Sequence, residues 1–157
     1  MDLSYQVSPH FTFGELVVTE NRLLMVQNQI DAESHLDKLQ LLCQNVLEPI
    51  RSLLGQTVVL SGYRNLALNK SIGGSITSQH LDGEAADTVY YGISLKKAFN
   101  EIAFSQIPYS QIIFEFGKWV HVGVIDEILH PGKVGQKFIS DFVNGETVYT
   151  LVTKPLV

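Results

Sequence analysis

Two histidines and one aspartate carry the residue types and spacing most suited to chemistry. His80 lies in a glycine-punctuated stretch, and Asp87 follows it within an otherwise apolar run from Ala85 to Tyr91. Strand alternation puts Ala85 and Asp87 on one face, and an inward-pointing carboxylate has to be paired or bound to a cation. The alternative is that Asp87 accepts hydrogen bonds from a local backbone N–H or a hydroxyl group.

The second histidine of this set, His121, stands in the β-rich run from Trp119 to Val124. Period two puts Trp119, His121 and Gly123 on one face of a strand and valines on the other. Two imidazoles and one carboxylate, with no fourth protein ligand in view, match a catalytic zinc site whose open position holds water. These ligands also suit Mn, Co or Ni, but availability and tetrahedral preference favour Zn²⁺. The single cysteine, Cys43, excludes a thiolate zinc site and an internal disulfide.

The motifs around these residues resemble a known enzyme family. The pattern is Ser78-x-His80-x-x-Gly83-x-Ala85-x-Asp87, followed by Trp119-x-His121. It resembles the zinc D-alanyl-D-alanine peptidases, which include D,D-carboxypeptidases, D-Ala-D-Ala dipeptidases and phage L-Ala-D-Glu endolysins, and which share their fold with the Hedgehog signalling domain. The resemblance covers residues 11–124 approximately. The sequence of segment 111–121 resembles that of a short, single-domain subgroup common in bacteriophage genomes.

The resemblance implies that His80, Asp87 and His121 are the zinc ligands. It also gives Arg64 a role in holding a substrate carboxylate or polarising the scissile carbonyl, because a planar, permanently charged guanidinium suits both tasks. The alternative for Arg64 is a surface ion pair. His130, in a turn-like stretch, is not expected to take part. Besides Arg64, the residues expected to contact substrate are Tyr63, Ser78 and Trp119.

One position departs from the family pattern. Dipeptidase-like members carry a catalytic Glu three residues before the last zinc ligand, where this chain has Lys118. The nearest carboxylate is Glu115. A three-residue turn from Phe116 to Lys118 would pair Glu115 with Trp119 on the ligand face, whereas a two-residue turn would point Glu115 away. We favour Glu115 as the general base, because a carboxylate between two phenylalanines in an apolar strand is otherwise hard to explain.

Periodicity predicts the elements that position these residues. Apolar residues at spacings of three and four predict an amphipathic helix from Ala32 to Leu54, which Pro49 would kink or end. The segment 62–83 has no sustained period and is predicted to be an ordered loop. The other predicted elements are strands at Thr57–Ser61, Ala85–Tyr91, Gln111–Phe116 and Trp119–Val124, a helix capped by Ser94, and a hairpin at Gln136–Val152 with Asn144-Gly145 as its turn.

Together the elements predict an α+β fold in one domain, residues 1–157, with a small antiparallel sheet flanked by helices. The resemblance implies a Hedgehog/D,D-peptidase-like fold for the family-like part, and 125–157 is expected to form a C-terminal β-hairpin extension. A chain of 157 residues, of which 45% are hydrophobic, is long enough to bury a core without disulfides.

The leading hypothesis is a zinc-dependent peptidase that hydrolyses peptidoglycan stem peptides, as a D-Ala-D-Ala carboxypeptidase or an L-Ala-D-Glu endopeptidase. The alternative is a non-catalytic, zinc-containing cell-wall-binding or virion module. A net charge of −5, from 11 basic and 16 acidic residues, argues against a nucleic-acid partner. With no apolar span and no signal-like start, the chain is expected to be made in the cytoplasm, away from membranes. It would reach the cell wall by phage-type release or in a virion, and a monomer is favoured.

Overall fold

Two sheets organise the structure, which is a computed structural model that describes residues 1–157. A short antiparallel ribbon pairs Gln6–Ser8 (β1) with Phe11–Thr12 (β2). The main sheet has six strands. In spatial order they are Thr57–Ser61 (β3), Ala85–Tyr90 (β4), Trp119–Val124 (β6), Tyr109–Glu115 (β5), Gln136–Val143 (β7) and Glu146–Leu151 (β8).

The main sheet corrects one part of the predicted fold. The α+β class is confirmed, but the sheet is larger than expected and mixed, because β5 and β7 run parallel while all the other neighbours are antiparallel. The predicted C-terminal hairpin forms from β7 and β8, and its turn residues Asn144 and Gly145 have φ of 52° and 88°. The hairpin is thus the edge of the main sheet rather than a separate unit.

Short 3₁₀ and π-helical turns separate some of the α-helices. The helix predicted over 32–54 forms with two interruptions, and a π-helical turn at Cys43–Leu47 comes just before Pro49. A proline cannot join the regular helical hydrogen-bond pattern, and the wider turn lets the helix continue past it. The helices are Phe13–Leu16 (α1), Met25–Ala32 (α2), Leu36–Leu42 (α3), Glu48–Leu54 (α4), Leu66–Ser71 (α5) and Leu95–Ala103 (α6).

The segment 62–83 is not the loop that the sequence predicted. It contains α5 and a 3₁₀ turn at Gln79–Asp82. Asn65 caps α5 by accepting from the Leu68 N–H at 2.9 Å, and Ser78 caps the 3₁₀ turn by accepting from the His80 N–H. Side-chain capping stabilises such short helices without any apolar stripe, so periodicity did not reveal them.

The core lies between the helices and one face of the main sheet. Core residues from α3, the π-helical turn and α6 pack against Ala86, Ile112, Val120 and Val122 of the central strands. Cys43 belongs to this core, and burial raises the pKa of its thiol to about 12. None of the helices combines the length and hydropathy that crossing a lipid bilayer requires. The opposite face of the sheet carries Asp87, His121, Glu115 and Trp119.

Candidate metal centre and active-site cleft

The three predicted metal ligands lie together. Asp87 and His121 are directly paired across β4 and β6, and the 3₁₀ turn brings His80 over the same face. His80 Nε2 is 3.2 Å from Asp87 Oδ1 and 3.2 Å from His121 Nδ1, and His121 Nδ1 is 3.1 Å from the same carboxylate oxygen. All three side chains are buried. The three donor atoms therefore form a nearly equilateral triangle.

The triangle fits a tetrahedral divalent metal ion such as zinc. Metal–ligand bonds of about 2.0–2.1 Å place two tetrahedral ligand atoms about 3.3 Å apart, close to the separations between these three atoms. The donors are imidazole nitrogens and a carboxylate oxygen, the ligand types that zinc accepts in catalytic sites. Burial by itself would raise the pKa of Asp87, but the two imidazoles hold it well below its usual range, so the carboxylate is ionised and ready to bind a cation.

A backbone carbonyl orients the first histidine. His80 Nδ1 lies 2.6 Å from the carbonyl oxygen of Gly62, so Nδ1 donates and Nε2 keeps its lone pair toward Asp87. Gly62 itself sits against α1, where an added Cβ would lie 2.2 Å from the Leu16 carbonyl oxygen. Only glycine lets this backbone pass so close to α1 while its own carbonyl meets His80.

Glu115 shares the sheet face of Asp87 and His121. The β5–β6 turn contains three residues, with φ of 53° at Phe116 and 68° at Gly117, and Glu115 pairs with Trp119. This is the register that the three-residue turn predicted. Trp119 Nε1 donates to Glu115 Oε2 at 2.6 Å, which holds the carboxylate on the face that carries Asp87 and His121. Burial raises the pKa of Glu115, and the charge of Asp87 raises it further, whereas His121 and the indole N–H lower it.

Arg64 lies in the segment that follows β3, and its side chain approaches Asp87. Its backbone N–H donates to the His80 carbonyl at 2.9 Å, and buried Asn28 accepts from the next N–H, of Asn65, at 2.7 Å. Arg64 Nη2 lies 4.0 Å from Asp87 Oδ2. The Nε–H of Arg64 is buried without a hydrogen-bond partner, so the guanidinium keeps hydrogen-bonding capacity for a ligand. Arg64 is not the surface ion pair that was its alternative.

A cleft of about 720 Å³ opens over His80, Asp87 and His121, on the sheet face opposite the core. Loop residues 18–21 and 72–75 line it on the β3 side, and Arg64 and Glu115 line its middle. On the far side the strand β8 contributes Thr147 and Tyr149, and the loop before β7 contributes Lys133 to the lining. His80, Asp87 and His121 thus lie on the floor of a groove that runs across the sheet.

The comparison with protein families agrees with these motifs. The sequence model of peptidase M15 matches residues 9–123, which is more than half of the chain. The chain belongs to the peptidase M15 family. This confirms the family that the His80–Asp87 and Trp119–His121 motifs predicted. Among curated proteins, none matches this M15 peptidase closely enough to serve as a relative.

The remaining predicted site residues of this M15 peptidase divide into two groups. Trp119 and Ser78 line the cleft, and Ser78 also caps the turn that carries His80. Tyr63 does not reach the cleft. It is 4% exposed and belongs to the core, with its ring 4.7 Å from that of His35. The expected substrate contact by Tyr63 is therefore not supported, because its side chain points to the core side of the Ser61–Arg64 segment.

A partly buried ionic cluster that no sequence pattern predicted surrounds Glu84, between His80 and Asp87 in the chain. Lys38 Nζ lies 3.0 Å from Glu84 Oε1 and also contacts Asp126. His130 Nε2 lies 3.1 Å from Asp82 Oδ2 and 3.4 Å from Glu84 Oε2. We call these five residues the Lys38 cluster. Burial raises the pKa of Glu84 to about 7.

The Lys38 cluster connects the chain segment between His80 and Asp87 to α3 and to the segment after β6. One sequence signal pointed to it: Glu84, like Asp87, is acidic in a stretch of small and apolar residues. Its partners were beyond sequence reasoning, because Lys38 and Asp126 are 88 positions apart. His130, which was expected to have no role, has a structural one here.

Proposed function

We propose that this chain is a zinc-dependent peptidase that hydrolyses the stem peptides of peptidoglycan. The observation that carries the proposal is the triangle of His80, Asp87 and His121 donor atoms on a cleft floor, with Glu115 on the same sheet face. Membership in the peptidase M15 family supports peptide hydrolysis. His80, Asp87 and His121 would hold the zinc ion, which lowers the pKa of a bound water and polarises a peptide carbonyl.

Glu115 is the proposed general base. Its carboxylate accepts a proton from the attacking water and returns it to the departing amine nitrogen, so one residue serves both halves of the reaction. Partial burial raises the pKa of Glu115, which makes it a better base once it is ionised. Trp119 holds the carboxylate in place through its indole N–H.

Arg64 is the proposed anchor for substrate. The amide nitrogens of both D-Ala-D-Ala and L-Ala-D-Glu bonds belong to residues with a carboxylate one carbon away. A guanidinium next to the metal ligands can bind that carboxylate or stabilise the oxyanion that develops on the carbonyl. Arg64 therefore supports either choice of bond. The resemblance of segment 111–121 to a phage subgroup supports a role in lysis or in a virion.

The decisive experiment is the Glu115→Gln variant. Glutamine keeps the shape of the side chain but cannot accept the proton, so we expect kcat/KM on purified peptidoglycan to fall about 10²- to 10⁴-fold. Metal content should stay unchanged, because Glu115 is not one of the three ligands. Mass spectrometry of the released fragments and metal analysis of the purified protein measure the two effects.

Glu101→Gln is the matched control, since Glu101 is an exposed residue of α6 on the helical side of the sheet. It should retain wild-type hydrolysis. Full activity in Glu115→Gln would overturn the role of Glu115. A wild-type protein that binds one zinc ion and releases neither D-alanine nor new amino termini would instead favour the non-catalytic cell-wall-binding module.

A further inference from the structure

The C-terminal hairpin extends the cleft beyond the part of the chain that matches the family. The match ends at residue 123, whereas β7 and β8 span 136–151 and add two strands to the sheet. Glu115 pairs with Ser140, and Ser140 pairs with Tyr149, so these three side chains share one face in a row that leads away from the metal ligands. The hairpin is therefore a continuation of the catalytic face.

Tyr149 has the properties of a ligand-contacting residue. It lines the cleft and is 55% exposed, and its ring packs edge-on against Phe138 with centroids 6.3 Å apart. Ser140, between Glu115 and Tyr149, is small, fully buried and not part of the cleft lining, whereas both of its neighbours line the cleft. Burial raises the pKa of Tyr149, and the charges of Glu115 and Asp87 raise it further, so its hydroxyl stays protonated and can donate to a carbonyl or carboxylate.

The dimensions of the sheet set the length of ligand that this face accommodates. Neighbouring strands are about 4.8 Å apart, so β8 lies about 14 Å from β6 along the sheet. An extended peptide rises about 3.3 Å per residue, so about four residues fit between the metal ligands and the hairpin. Lys133, in the loop before β7, also lines the cleft and adds a positive charge that suits an acidic peptide.

We propose that the outer part of the cleft, formed by Tyr149 and Thr147 of β8, is a subsite for residues of a stem peptide several positions from the scissile bond. This inference rests on the proposed function, because it takes the same peptide as its ligand. The hairpin then makes the protein selective for peptides of four or five residues over dipeptides.

The test compares Tyr149→Ala with Val148→Ala in a Glu115→Gln background loaded with zinc, so that the ligand is not consumed. Val148 is the matched control, because it lies on the same strand but on the opposite face. The probe is the synthetic pentapeptide L-Ala-γ-D-Glu-L-Lys-D-Ala-D-Ala, and calorimetry measures its Kd. We expect Tyr149→Ala to raise the Kd about tenfold, as the loss of one good contact does, and Val148→Ala to leave it within twofold.

Kinetics in the wild-type background give the second readout. Tyr149→Ala should lower kcat/KM on the pentapeptide about tenfold, and should change cleavage of D-Ala-D-Ala and L-Ala-D-Glu dipeptides less than twofold. An unchanged pentapeptide Kd in Tyr149→Ala, or no pentapeptide binding to the parent variant, overturns the subsite. Failure of the proposed function looks different: the wild type then cleaves nothing, while the Kd still reports on Tyr149.

Discussion

At the scale of single residues, the surroundings of Glu115 set the pH range in which a catalytic base could work. Partial burial favours its protonated form and raises its pKa, whereas the indole N–H of Trp119 favours the ionised form. A general base acts only when it is ionised, so activity should fall on the acid side of this pKa. The Trp119 hydrogen bond therefore widens the active range toward acid.

Trp119→Phe tests this balance. Removing the only N–H that donates to the Glu115 carboxylate destabilises its charged form, so the pKa rises and the acid limb of the kcat/KM profile moves to higher pH. We expect a shift of about one pH unit, since one unit corresponds to about 1.4 kcal/mol, a modest charge-assisted hydrogen bond. Profiles of the two proteins from pH 4 to 9, each on the same peptide, measure it.

Phe116→Leu provides the comparison, because it removes the aromatic contact with Trp119 but no hydrogen bond. Its acid limb should stay where it is in the wild type. If Trp119→Phe has an unshifted limb, a group other than Glu115 controls the profile.

At the scale of elements, the Lys38 cluster joins the segment between His80 and Asp87 to distant parts of the chain. Glu84 is fully buried, and its pKa of about 7 lies above its ordinary value of 4.5. The folded state therefore binds this proton more tightly than the unfolded chain does. The contribution to stability is complete below about pH 4.5 and is lost as the pH rises toward 7 and above.

Glu84→Gln removes this pH dependence, since glutamine stays neutral. The free energy of unfolding of the variant, relative to that of the wild type, should therefore increase between pH 5 and pH 8. Urea unfolding at each pH unit measures the difference. Glu101→Gln, at an exposed site, should follow the wild type at every pH, and a constant gap for Glu84→Gln would contradict the raised pKa.

Sequence patterns predicted some elements well and others poorly, for a physical reason. β3, β4, β5 and β6 came within two residues because alternating or buried apolar runs mark strands locally. The helices inside 62–83 were missed because capping side chains, not an apolar stripe, hold segments of four to six residues. The Lys38 cluster and the β5–β7 pairing depend on contacts between distant positions, which no local pattern encodes.

At the scale of the whole molecule, the three proposed ligands come from parts of the chain that only the folded state brings together. They come from β4, β6 and the turn before β4, and His80 and His121 are 41 positions apart in the chain. A metal ion that binds all three binds the folded state and has little affinity for the unfolded chain. Metal binding should therefore stabilise the entire fold.

Zinc titration followed by thermal unfolding measures this coupling. At a free zinc concentration of 100 times the Kd the stabilisation is about 2.7 kcal/mol, which raises the Tm of a chain this size by about 5 to 10 °C. His121→Ala should abolish the rise. His130→Ala should keep it, because His130 lies in the Lys38 cluster. An equal rise in all three proteins would mean that zinc binds elsewhere.

The buried Cys43 has a practical consequence for following this molecule in solution. The thiolate is the nucleophile that attacks thiol-specific reagents, and a pKa of about 12 leaves almost none of it at neutral pH. Since Cys43 is the single cysteine of the chain, a cysteine introduced at exposed Val148 becomes the reactive one without prior replacement of the native thiol. A fluorophore attached there sits on the face of β8 opposite Tyr149, so it labels the protein without blocking the cleft.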